Sequence, residues 1–281
     1  MGTADGTATD HGSTTGTGTD NGNATSTGTD SALTVSTSSG SDAAESTTFS
    51  VESSGTSGDG SDLPADVPTN LVAHWRLDET SGTMASDASG TGNHGVLAGG
   101  TLWTEGVIGG AAEFDGIDDG IEATANPTLN LTGAVTLSAW INIRGTNTTQ
   151  TVLSRNFDME ARGYTLRINS NGVAEFHISS DCVDEVSVVT ADPLPVNTWV
   201  HVAATYEPST SMLVYVDGIF DNSLKGTVPD SQCDNGKAVG VGRRVSGALA
   251  YHALNGFVDD ARIYNEAVTA AHIAELFAQK P

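Results

Sequence analysis

An alternation of apolar and polar residues is the feature that most constrains how this chain can fold. It is clearest over residues 135–143 (VTLSAWINI), where every odd-numbered position is apolar. Because successive side chains of a β-strand point to opposite faces, this pattern predicts a strand with one face against a core and the other on a more open surface. Residues 164–168 and 200–206 repeat the pattern, which indicates several strands of the same kind.

Turn signals separate these alternating segments. The dipeptides Asn-Gly at 171–172 and Asp-Gly at 217–218 each stand between two extended runs, an arrangement typical of β-hairpins. Many short strands with glycine-rich turns, and no long helical period, predict an all-β fold in which antiparallel sheets pack on each other.

Only the C-terminal end of the chain indicates a helix. Thr269 is a good N-cap residue, and Ile273, Leu276 and Phe277 fall on one face of a helix that starts there. We therefore expect a short C-terminal helix with an apolar side.

Residues 1–68 differ in composition from the rest of the chain. They consist almost entirely of Thr, Ser, Gly, Asp and Ala, and the first Lys or Arg of the chain is Arg76. Such a segment buries too little apolar surface to offset the entropy of ordering its backbone. We expect a disordered N-terminal tail or linker over residues 1–68 and one folded domain over residues 69–281.

The chain is strongly acidic, with 35 Asp and Glu residues against 11 Lys and Arg residues and a net charge of −24. A field of this sign repels phosphates and anionic lipid headgroups, so it argues against nucleic acid and membrane surfaces as partners. It is typical of a protein that stays soluble in a salty or extracellular setting. It is also compatible with calcium, because hard cations take oxygen ligands.

The sequence shows no targeting segment. No run of about 18 apolar residues could span a bilayer, and no charged stretch followed by an apolar one marks a signal peptide. Either a signal has been removed before Met1, or the protein is cytosolic. The tail resembles the spacers that follow the anchoring cysteine of bacterial lipoproteins, which favours an extracellular or cell-surface location with a possible lipid anchor upstream.

The two cysteines, Cys182 and Cys233, lie in polar, turn-rich stretches (SSDCVD and DSQCDN). Neither stretch resembles a buried apolar site for a free thiol, so we expect a disulfide that joins two loops in an oxidising compartment. Two free thiols are the alternative. A zinc site is disfavoured because neither cysteine has a partner at short spacing.

Six segments of the sequence follow one another in an order known from one protein family. They are LVAHWRLDETSG (71–82) with DASGTGNHG (87–95), WTEGVIGGAAEFDGIDD (103–119), VTLSAWINI (135–143), WVHVA (199–203), YVDG (215–218) and GFVDDARIYNEA (256–267). Together they resemble the bacterial branch of the laminin-G-like, concanavalin A-like lectin and glucanase domains. The resemblance covers residues 71–278 and implies an antiparallel jelly-roll β-sandwich. One departure is Gly120, where the family usually has an aromatic residue.

The loop that holds Asp87, Ser89, Gly90 and Asn93 is dense in oxygen ligands. In the family such a loop resembles half of a structural calcium site, which an acid from the final strand completes. The resemblance therefore implies Ca²⁺ as a structural cofactor, with Asp87 and Asn93 among its ligands.

Alternation along the last strand selects the remaining ligand. If Ala261 and Ile263 face the core, Asp259 points inward with them and Asp260 points outward. An inward carboxylate is costly unless it is paired or binds a metal, so we predict Asp259 as the third ligand. The alternative is that the acids cap turns or pair with Arg262.

A second acidic cluster comprises Asp115, Asp118 and Asp119. Gly116 between them indicates a tight turn, and turn chemistry is the preferred explanation of these carboxylates.

Candidate ligand contacts come from polar positions of the strands and loops. Trp140 falls on the polar side of its strand, where an aromatic ring can stack on a sugar; packing beneath loops is the alternative that we prefer. Arg155 and Arg243 are candidate contacts to an anion or a glycan, and a solvated rim is the simpler alternative.

A catalytic site is not expected. Related sandwiches that cleave glycans carry closely spaced acids on one strand, as in Glu-x-Asp-x-x-Glu, and this chain has no such set. Glycoside hydrolysis needs two carboxyl groups at a defined separation. His177 and His201 stand in no motif that pairs a base with a nucleophile.

We therefore expect a non-catalytic cell-surface or secreted module for binding or adhesion, with a carbohydrate or a surface protein as its partner. Two alternatives remain. One is a purely structural spacer domain of a surface lipoprotein, and the other is a degenerate glycan-cleaving enzyme. The fold alone does not decide among them.

Overall fold

The structure is a computed structural model that describes residues 70–155, 162–245 and 252–280. The tail expected over residues 1–68 lies outside the described residues. The strands are β1 (Leu71–Trp75), β2 (Met84–Ala85), β3 (Gly95–Ala98), β4 (Leu102–Glu105), β5 (Gly110–Asp115), β6 (Gly120–Ala123), β7 (Val135–Ile143), β8 (Gln150–Ser154), β9 (Thr165–Ile168), β10 (Ala174–Ile178), β11 (Val186–Val189), β12 (Val200–Glu207), β13 (Ser211–Val216), β14 (Ile219–Ser223), β15 (Val239–Val241) and β16 (Asn255–Tyr264). A 3₁₀ turn covers Pro127–Leu129, and helix α1 covers Ala270–Ala278.

The strands form two antiparallel sheets. The first sheet has the order β14-β13-β12-β7-β16-β5-β4, with β1 also paired to β16, and the second has the order β11-β10-β9-β8-β15-β6-β3-β2. The chain passes repeatedly between the sheets, since β6 belongs to the second, β7 to the first and β8 to the second. This arrangement confirms the antiparallel β-sandwich that the sequence predicts.

The core lies between the two sheets. All five odd-numbered residues of β7 belong to it, as the alternation predicts. From the second sheet, Leu166 and Phe176 enter the same cluster, and both are fully buried. Burial of a side chain of this size contributes about 1.5–3 kcal/mol, so this layer supplies much of the drive to form the sandwich.

The outer face of the first sheet is covered rather than open. Three of the four even-numbered residues of β7 are buried, namely Thr136, Ser138 and Trp140. Helix α1 packs across this face, and its Ile273 and Leu276 belong to a second apolar cluster there. The expectation of an open second face for β7 is therefore wrong, because a period of two reports which residues share a face and not what covers it.

Helix α1 begins where the sequence predicts. The side chain of Thr269 accepts a hydrogen bond from the backbone N–H of His272 at 3.2 Å, which caps the first turn. The ring of Phe277 stacks on Trp140 with 5.4 Å between the ring centroids. These contacts confirm the predicted helix and hold its apolar side on the sheet.

A β-bulge interrupts β16. Asp259 pairs with Trp140, but the next regular pair joins Arg262 to Ser138, so the register shifts between them. Asp260 has a φ of 51°, a left-handed conformation that is typical of bulges. Asp259 therefore shares the helix side of the sheet with Trp140, and the predicted inward orientation of Asp259 is wrong.

Both predicted hairpin turns are present. The Asn-Gly turn joins β9 to β10 and the Asp-Gly turn joins β13 to β14. Gly172 has a φ of 87° and Gly218 a φ of 77°. These are left-handed values that glycine adopts without strain.

The predicted disulfide between Cys182 and Cys233 is also present, with 5.4 Å between the two Cα atoms. It ties the loop between β10 and β11 to the loop between β14 and β15. Among the described residues, no helix is long and apolar enough to cross a bilayer.

Candidate functional site

A row of polar residues crosses the outer face of the second sheet. His177 on β10 pairs with Thr165 on β9, which pairs with Ser154 on β8. Ser154 pairs with Gly240 on β15, and Gly240 pairs with Glu122 on β6. Directly opposed residues of antiparallel strands share a face, so these positions form one line across five strands, on the side away from the core.

Charged side chains gather at one end of this row. Glu175 Oε2 lies 2.8 Å from Arg167 Nε and 3.1 Å from His177 Nε2. Glu185 Oε2 lies 3.7 Å from His177 Nδ1 and 3.7 Å from Arg162 Nη1. Two glutamates therefore bracket one histidine, and an arginine contacts each glutamate. We call these five residues the charged cluster.

Electrostatics keeps Glu175 ionised. The hydrogen bond with His177 is the largest of the contacts that lower its pKa to about 2, and Asn169 and Arg167 act in the same direction against the effect of burial. At neutral pH Glu175 is therefore an acceptor that holds Arg167 and Asn169 in place, and it has no proton to give.

Cations are concentrated on this face although the chain as a whole is acidic. Four of its eight arginines lie here, namely Arg162, Arg167, Arg243 and Arg244. Burial lowers the pKa of His252, and the charges of Arg244 and Arg167 lower it further, while Glu185 opposes them. The local field therefore favours ligands that carry negative charge or many acceptor oxygens.

Several buried polar atoms on this face make no hydrogen bond within the described part of the chain. They are Nε of Arg162 and Arg243, Nδ1 of His177 and His252, and Oγ1 of Thr151. An unmet buried donor costs about 1–3 kcal/mol unless water or a ligand satisfies it. A ligand rich in hydroxyl or carboxylate oxygens matches this set.

Gly120 explains how Arg243 reaches the face. A Cβ atom at Gly120 would lie 2.4 Å from Cγ and Cδ of Arg243. Arg243 crosses this gap and donates from Nη1 to the carbonyl of Asp118 at 3.0 Å, and its Nη2 lies 3.8 Å from Glu122. The glycine that departs from the family pattern therefore makes room for an arginine.

Two of the predicted ligand contacts have structural roles instead. Trp140 is 2% exposed beneath helix α1, so the packing alternative describes it correctly. Arg155 is 1% exposed; it donates to the Lys237 carbonyl at 3.1 Å and pairs with Asp234 at 2.9 Å. We correct both predictions, because neither side chain is open to a ligand. Arg243 is the predicted contact that lies on the polar face.

Asp87, a predicted calcium ligand, is engaged by its own loop. Its Oδ1 accepts from the backbone N–H groups of His74 and Ser89, each at 2.9 Å. Its Oδ2 accepts from the hydroxyls of Ser89 and Thr91 and from the N–H of Asn93, at 2.8–3.0 Å. Burial opposes a low pKa, yet these hydrogen bonds lower the pKa of Asp87. Five donors around one carboxylate leave little room for a cation.

Asn93 and Asp259 contact separate partners. The Asn93 amide donates to the Val72 carbonyl at 2.6 Å and to Thr128 Oγ1 at 2.9 Å. Asp259 Oδ2 accepts from the N–H groups of Val107 and Ile108, at 2.7 and 2.8 Å. Asn93 belongs to the Asp87 loop, since its N–H donates to Asp87, but the Asp259 hydrogen bonds share no partner with either residue. The hydrogen bonds therefore do not join the three predicted ligands into one cage.

Asp259 nevertheless has an unmet oxygen. The residue is fully buried, and its Oδ1 makes no hydrogen bond among the described residues. Burial raises the pKa of Asp259 to about 7, and the charges of Asp260 and Asp78 act in the same direction. The two backbone hydrogen bonds oppose this rise. Of the three predicted ligands, Asp259 alone fits a cation through a free buried oxygen.

The acidic turn of Asp115, Asp118 and Asp119 brings one carboxylate oxygen of each residue within 4.8 Å of the others. Asp115 accepts from the N–H of Ile117 at 2.7 Å, and Asp119 accepts from the N–H of Asp115 at 2.9 Å. These contacts are those of an ordinary turn, as the sequence indicates.

Arg162, Glu175 and Glu185 are not among the site residues that the sequence predicts. Arg167 on the polar side of a strand and His177 near a strand end were the available signals. The pairing of β9 with β10 brings Arg167 next to Glu175 and His177. The loop that the disulfide holds adds Glu185. Neither arrangement is visible before the register is known.

The family follows from comparison with known proteins. The family model of the concanavalin A-like lectin/glucanases superfamily matches residues 115–274. The match covers more than half of the chain, and this protein belongs to that superfamily. No curated protein matches the chain.

Solved structures share the fold at low identity. The binding domain of Paraclostridial Mosquitocidal Protein 1 has a TM-score of 0.59 at 16% identity, over 74% of this chain and 52% of that chain. Domain 4 of AbnA, an extracellular arabinanase from Geobacillus stearothermophilus, in complex with arabinotriose, has a TM-score of 0.59 at 22% identity, over 74% and 98%. The binding domain of botulinum neurotoxin DC in complex with rat synaptotagmin II has a TM-score of 0.59 at 14% identity, over 74% and 51%. The chain thus spans about half the length of these toxin domains.

Proposed function

We propose that this protein is a non-catalytic extracellular or cell-surface module that binds a glycan on the outer face of its second sheet. The observation that carries the proposal is the concentration of arginines and unmet buried donors around the charged cluster, in a chain whose net charge is −24. These groups are complementary to the hydroxyl and carboxylate oxygens of a saccharide, with an acidic saccharide as the best match.

A carbohydrate is preferred to a protein partner on chemical grounds. The part of this face around the charged cluster offers partly buried, hydrogen-bonding side chains. The exposed apolar residues of the same face, Met84 and Val96, lie on β2 and β3 towards the other edge of the sheet, and large apolar anchors are what dominate protein interfaces. Among the proteins of this fold, one solved neighbour is in complex with arabinotriose and another with synaptotagmin. A surface protein is therefore the second candidate for the same face.

The proposal of binding without catalysis is supported by the ionised state of Glu175. A glycosidase of the common type needs one carboxyl group that is still protonated near neutral pH. The pKa of Glu175 is lowered to about 2, and Glu185 lies within 3.7 Å of both Arg162 and His177. Both carboxylates hold the arginines and the histidine in place.

The extracellular assignment rests on the disulfide between Cys182 and Cys233, because such bonds persist in oxidising compartments. A lipid anchor before the tail remains part of this proposal. A spacer domain without a ligand is the third candidate.

A binding screen tests the function. The full chain is assayed on acidic and neutral oligosaccharides, and the best ligand is measured by calorimetry with Arg167→Ala and Arg162→Ala. Arg144→Ala is the matched control, because Arg144 pairs with Glu113 on the other sheet. We expect binding that the first two variants weaken at least tenfold and the control leaves unchanged. Equal loss in all three variants, or release of shortened sugar, would contradict the proposal.

Calcium at Asp259 is a separate part of the proposal. A divalent ion that binds only the folded state raises the melting temperature with its concentration. We expect calcium to raise it, chelator to lower it, magnesium to do much less, and Asp259→Ala to abolish the difference. Asp87→Ala destabilises through lost hydrogen bonds and serves as the control that keeps the calcium response. An identical melting curve with calcium and with chelator would exclude the site.

A further inference from the structure

A cleft lies at one edge of the sandwich, away from the charged cluster. It has a volume of about 500 Å³ and is lined by Asp78, Glu79, Thr80, Trp103, Thr104, Glu105, Gly109 and Gly110. Strand β4, which ends the first sheet, forms one wall. The segment that leads to β2, which ends the second sheet, forms the other. We call this space the edge cleft; its volume is within the range of small-molecule sites.

Trp103 is held in place as a wall of the edge cleft. It pairs with Ala112 of the core and packs partly against the core, which leaves part of its ring exposed. Its indole N–H donates to the carbonyl of Gly82 at 3.0 Å, across the edge of the sandwich. Because both its backbone and its indole N–H are held, Trp103 presents a rigid apolar surface, and ligand binding there costs little side-chain entropy.

The turn before β5 positions a carboxylate opposite this wall. Asp78 Oδ1 accepts from the N–H of Gly110 at 2.7 Å. Gly109 has a φ of 82°, and a Cβ atom there would lie 2.3 Å from Asp78 Oδ1. Only glycine fits both requirements, so this turn is shaped around the acid.

The edge cleft is acidic. Asp78, Glu79 and Glu105 line it, and the described residues of its lining include no Lys or Arg. Glu79 Oε1 accepts from the N–H of Ser86 at 2.7 Å, whereas its Oε2 is buried and makes no hydrogen bond within the described residues. Three carboxylates beside one aromatic face, without a cation in the lining, attract a positively charged ligand.

We infer that the edge cleft binds an amino sugar with a free ammonium group, such as a glucosamine unit of a deacetylated glycan. The sugar ring lies on the Trp103 face, and the ammonium meets the carboxylates, with a further attraction from the indole ring. The hydroxyls of Thr80 and Thr104 are available to the ring hydroxyls.

Other ligands match the edge cleft less well. A neutral sugar leaves the three carboxylates without a counter-charge. A bare metal ion gains no contact from Trp103, because an indole ring is not a metal ligand. A lysine side chain carries the ammonium but has no ring to place on Trp103. The combination of a ring and a positive charge therefore identifies the ligand class.

Calorimetry with the full chain at pH 6 tests this inference. The probes are the glucosamine tetramer, the N-acetylglucosamine tetramer, which has the same rings without charge, and the lysine tetramer, which has charge without sugar rings. We expect the glucosamine tetramer to bind at least tenfold more tightly than either of the others. We also expect its affinity to fall as salt is added.

Variants assign the binding to the edge cleft. Glu105→Gln removes an exposed charge and leaves the fold intact, and we expect it to weaken glucosamine binding at least threefold. Trp103→Phe keeps an apolar ring but shortens the wall, and its folding is checked by its melting temperature. Glu207→Gln is the matched control, because Glu207 is an exposed acid on another strand. We expect the control to leave glucosamine binding unchanged.

Three outcomes would overturn the inference. Equal binding of the acetylated and free tetramers would exclude charge recognition, equal binding of the lysine tetramer would exclude the sugar, and an unchanged affinity in Glu105→Gln would exclude this site. Arg167→Ala keeps glucosamine binding, since the charged cluster lies on another face. Failure here is therefore distinguishable from failure of the proposed function.

Discussion

At the scale of single residues, the structure buries several ionisable groups and sets their charge by their surroundings. His201 is 2% exposed, and its Nε2 lies 2.9 Å from Ser138 Oγ. Burial lowers the pKa of His201 to about 4, and the charge of Arg262 acts in the same direction while Asp260 opposes it. The folded protein therefore keeps His201 neutral at pH values where an unfolded chain protonates it.

His201 should make the protein sensitive to acid. Its folded pKa lies below the unfolded value of 6.5, so the unfolded state takes up more protons as pH falls from 6.5 towards 4. The free energy of unfolding falls over that window, by roughly 3 kcal/mol at its lower end. We expect His201→Gln, whose amide still offers Ser138 a hydrogen-bond partner, to show a smaller drop in the free energy of unfolding between pH 7 and pH 4.5. Urea unfolding at the two pH values measures this drop. An unchanged difference between the two pH values would contradict the assignment.

A second residue-scale feature is the network of His74, Asp260 and Arg262. His74 Nε2 lies 2.6 Å from Asp260 Oδ1, and Arg262 Nη2 lies 2.9 Å from Asp260 Oδ2. Although burial opposes it, contact with His74 and Arg262 lowers the pKa of Asp260. The bulge thus places Asp260 beside His74 and Arg262 and Asp259 beneath a backbone turn, and the two neighbouring acids differ in pKa for that reason.

At the scale of elements, helix α1 decides which face of the first sheet is closed. Its Phe277 covers Trp140, and Lys280 just after the helix lies 4.1 Å from the centroid of the Phe277 ring. A nine-residue helix is too short to be stable alone in water, so these contacts stabilise helix and sheet together.

Removal of the Phe277 ring should loosen the helix from the sheet. Because the ring is partly buried, we expect Phe277→Ala to lower the free energy of unfolding by about 1–3 kcal/mol. We also expect it to shift the tryptophan fluorescence to longer wavelength as Trp140 meets water. Glu275→Ala is the control, since Glu275 on the same helix has a side chain that is 64% exposed. The two variants behaving alike would show that Phe277 does not hold the helix on the sheet.

At the scale of the whole molecule, the disulfide links stability to the proposed binding face. The bond spans a sequence separation of 51 residues and holds the loop that carries Glu185. The N–H of Arg162 donates to the carbonyl of Cys182 at 3.0 Å. One cross-link therefore positions two members of the charged cluster.

Loss of the disulfide should affect both folding and binding. The chain-entropy model gives roughly 4 kcal/mol for a closed loop of this length. We expect the double variant Cys182→Ser with Cys233→Ser to lose about that much in chemical unfolding. We also expect weaker glycan binding at the charged cluster under conditions where the variant is still folded. Full retention of stability would show that the bond adds little to a sandwich already closed by its core.

The sequence by itself determined the features that depend on short stretches of chain. The alternation of residues 135–143 predicted five side chains of the core. One Asn-Gly and one Asp-Gly dipeptide predicted two hairpins, and Thr269 predicted the start of a helix. The polar surroundings of Cys182 and Cys233 indicated their bond. Each of these reflects a local preference of the backbone or of a side chain, which the neighbouring residues already express.

Only the tertiary structure decided the features that depend on what lies across a face. A helix more than a hundred residues away in sequence buries Trp140, and the bulge at Asp260 turns Asp259 away from the core. Arg243 crosses Gly120, and four arginines from three segments of the chain lie on one face. Strand alternation is a local property, whereas coverage and charge convergence arise from long-range packing, so a single sequence does not reveal them.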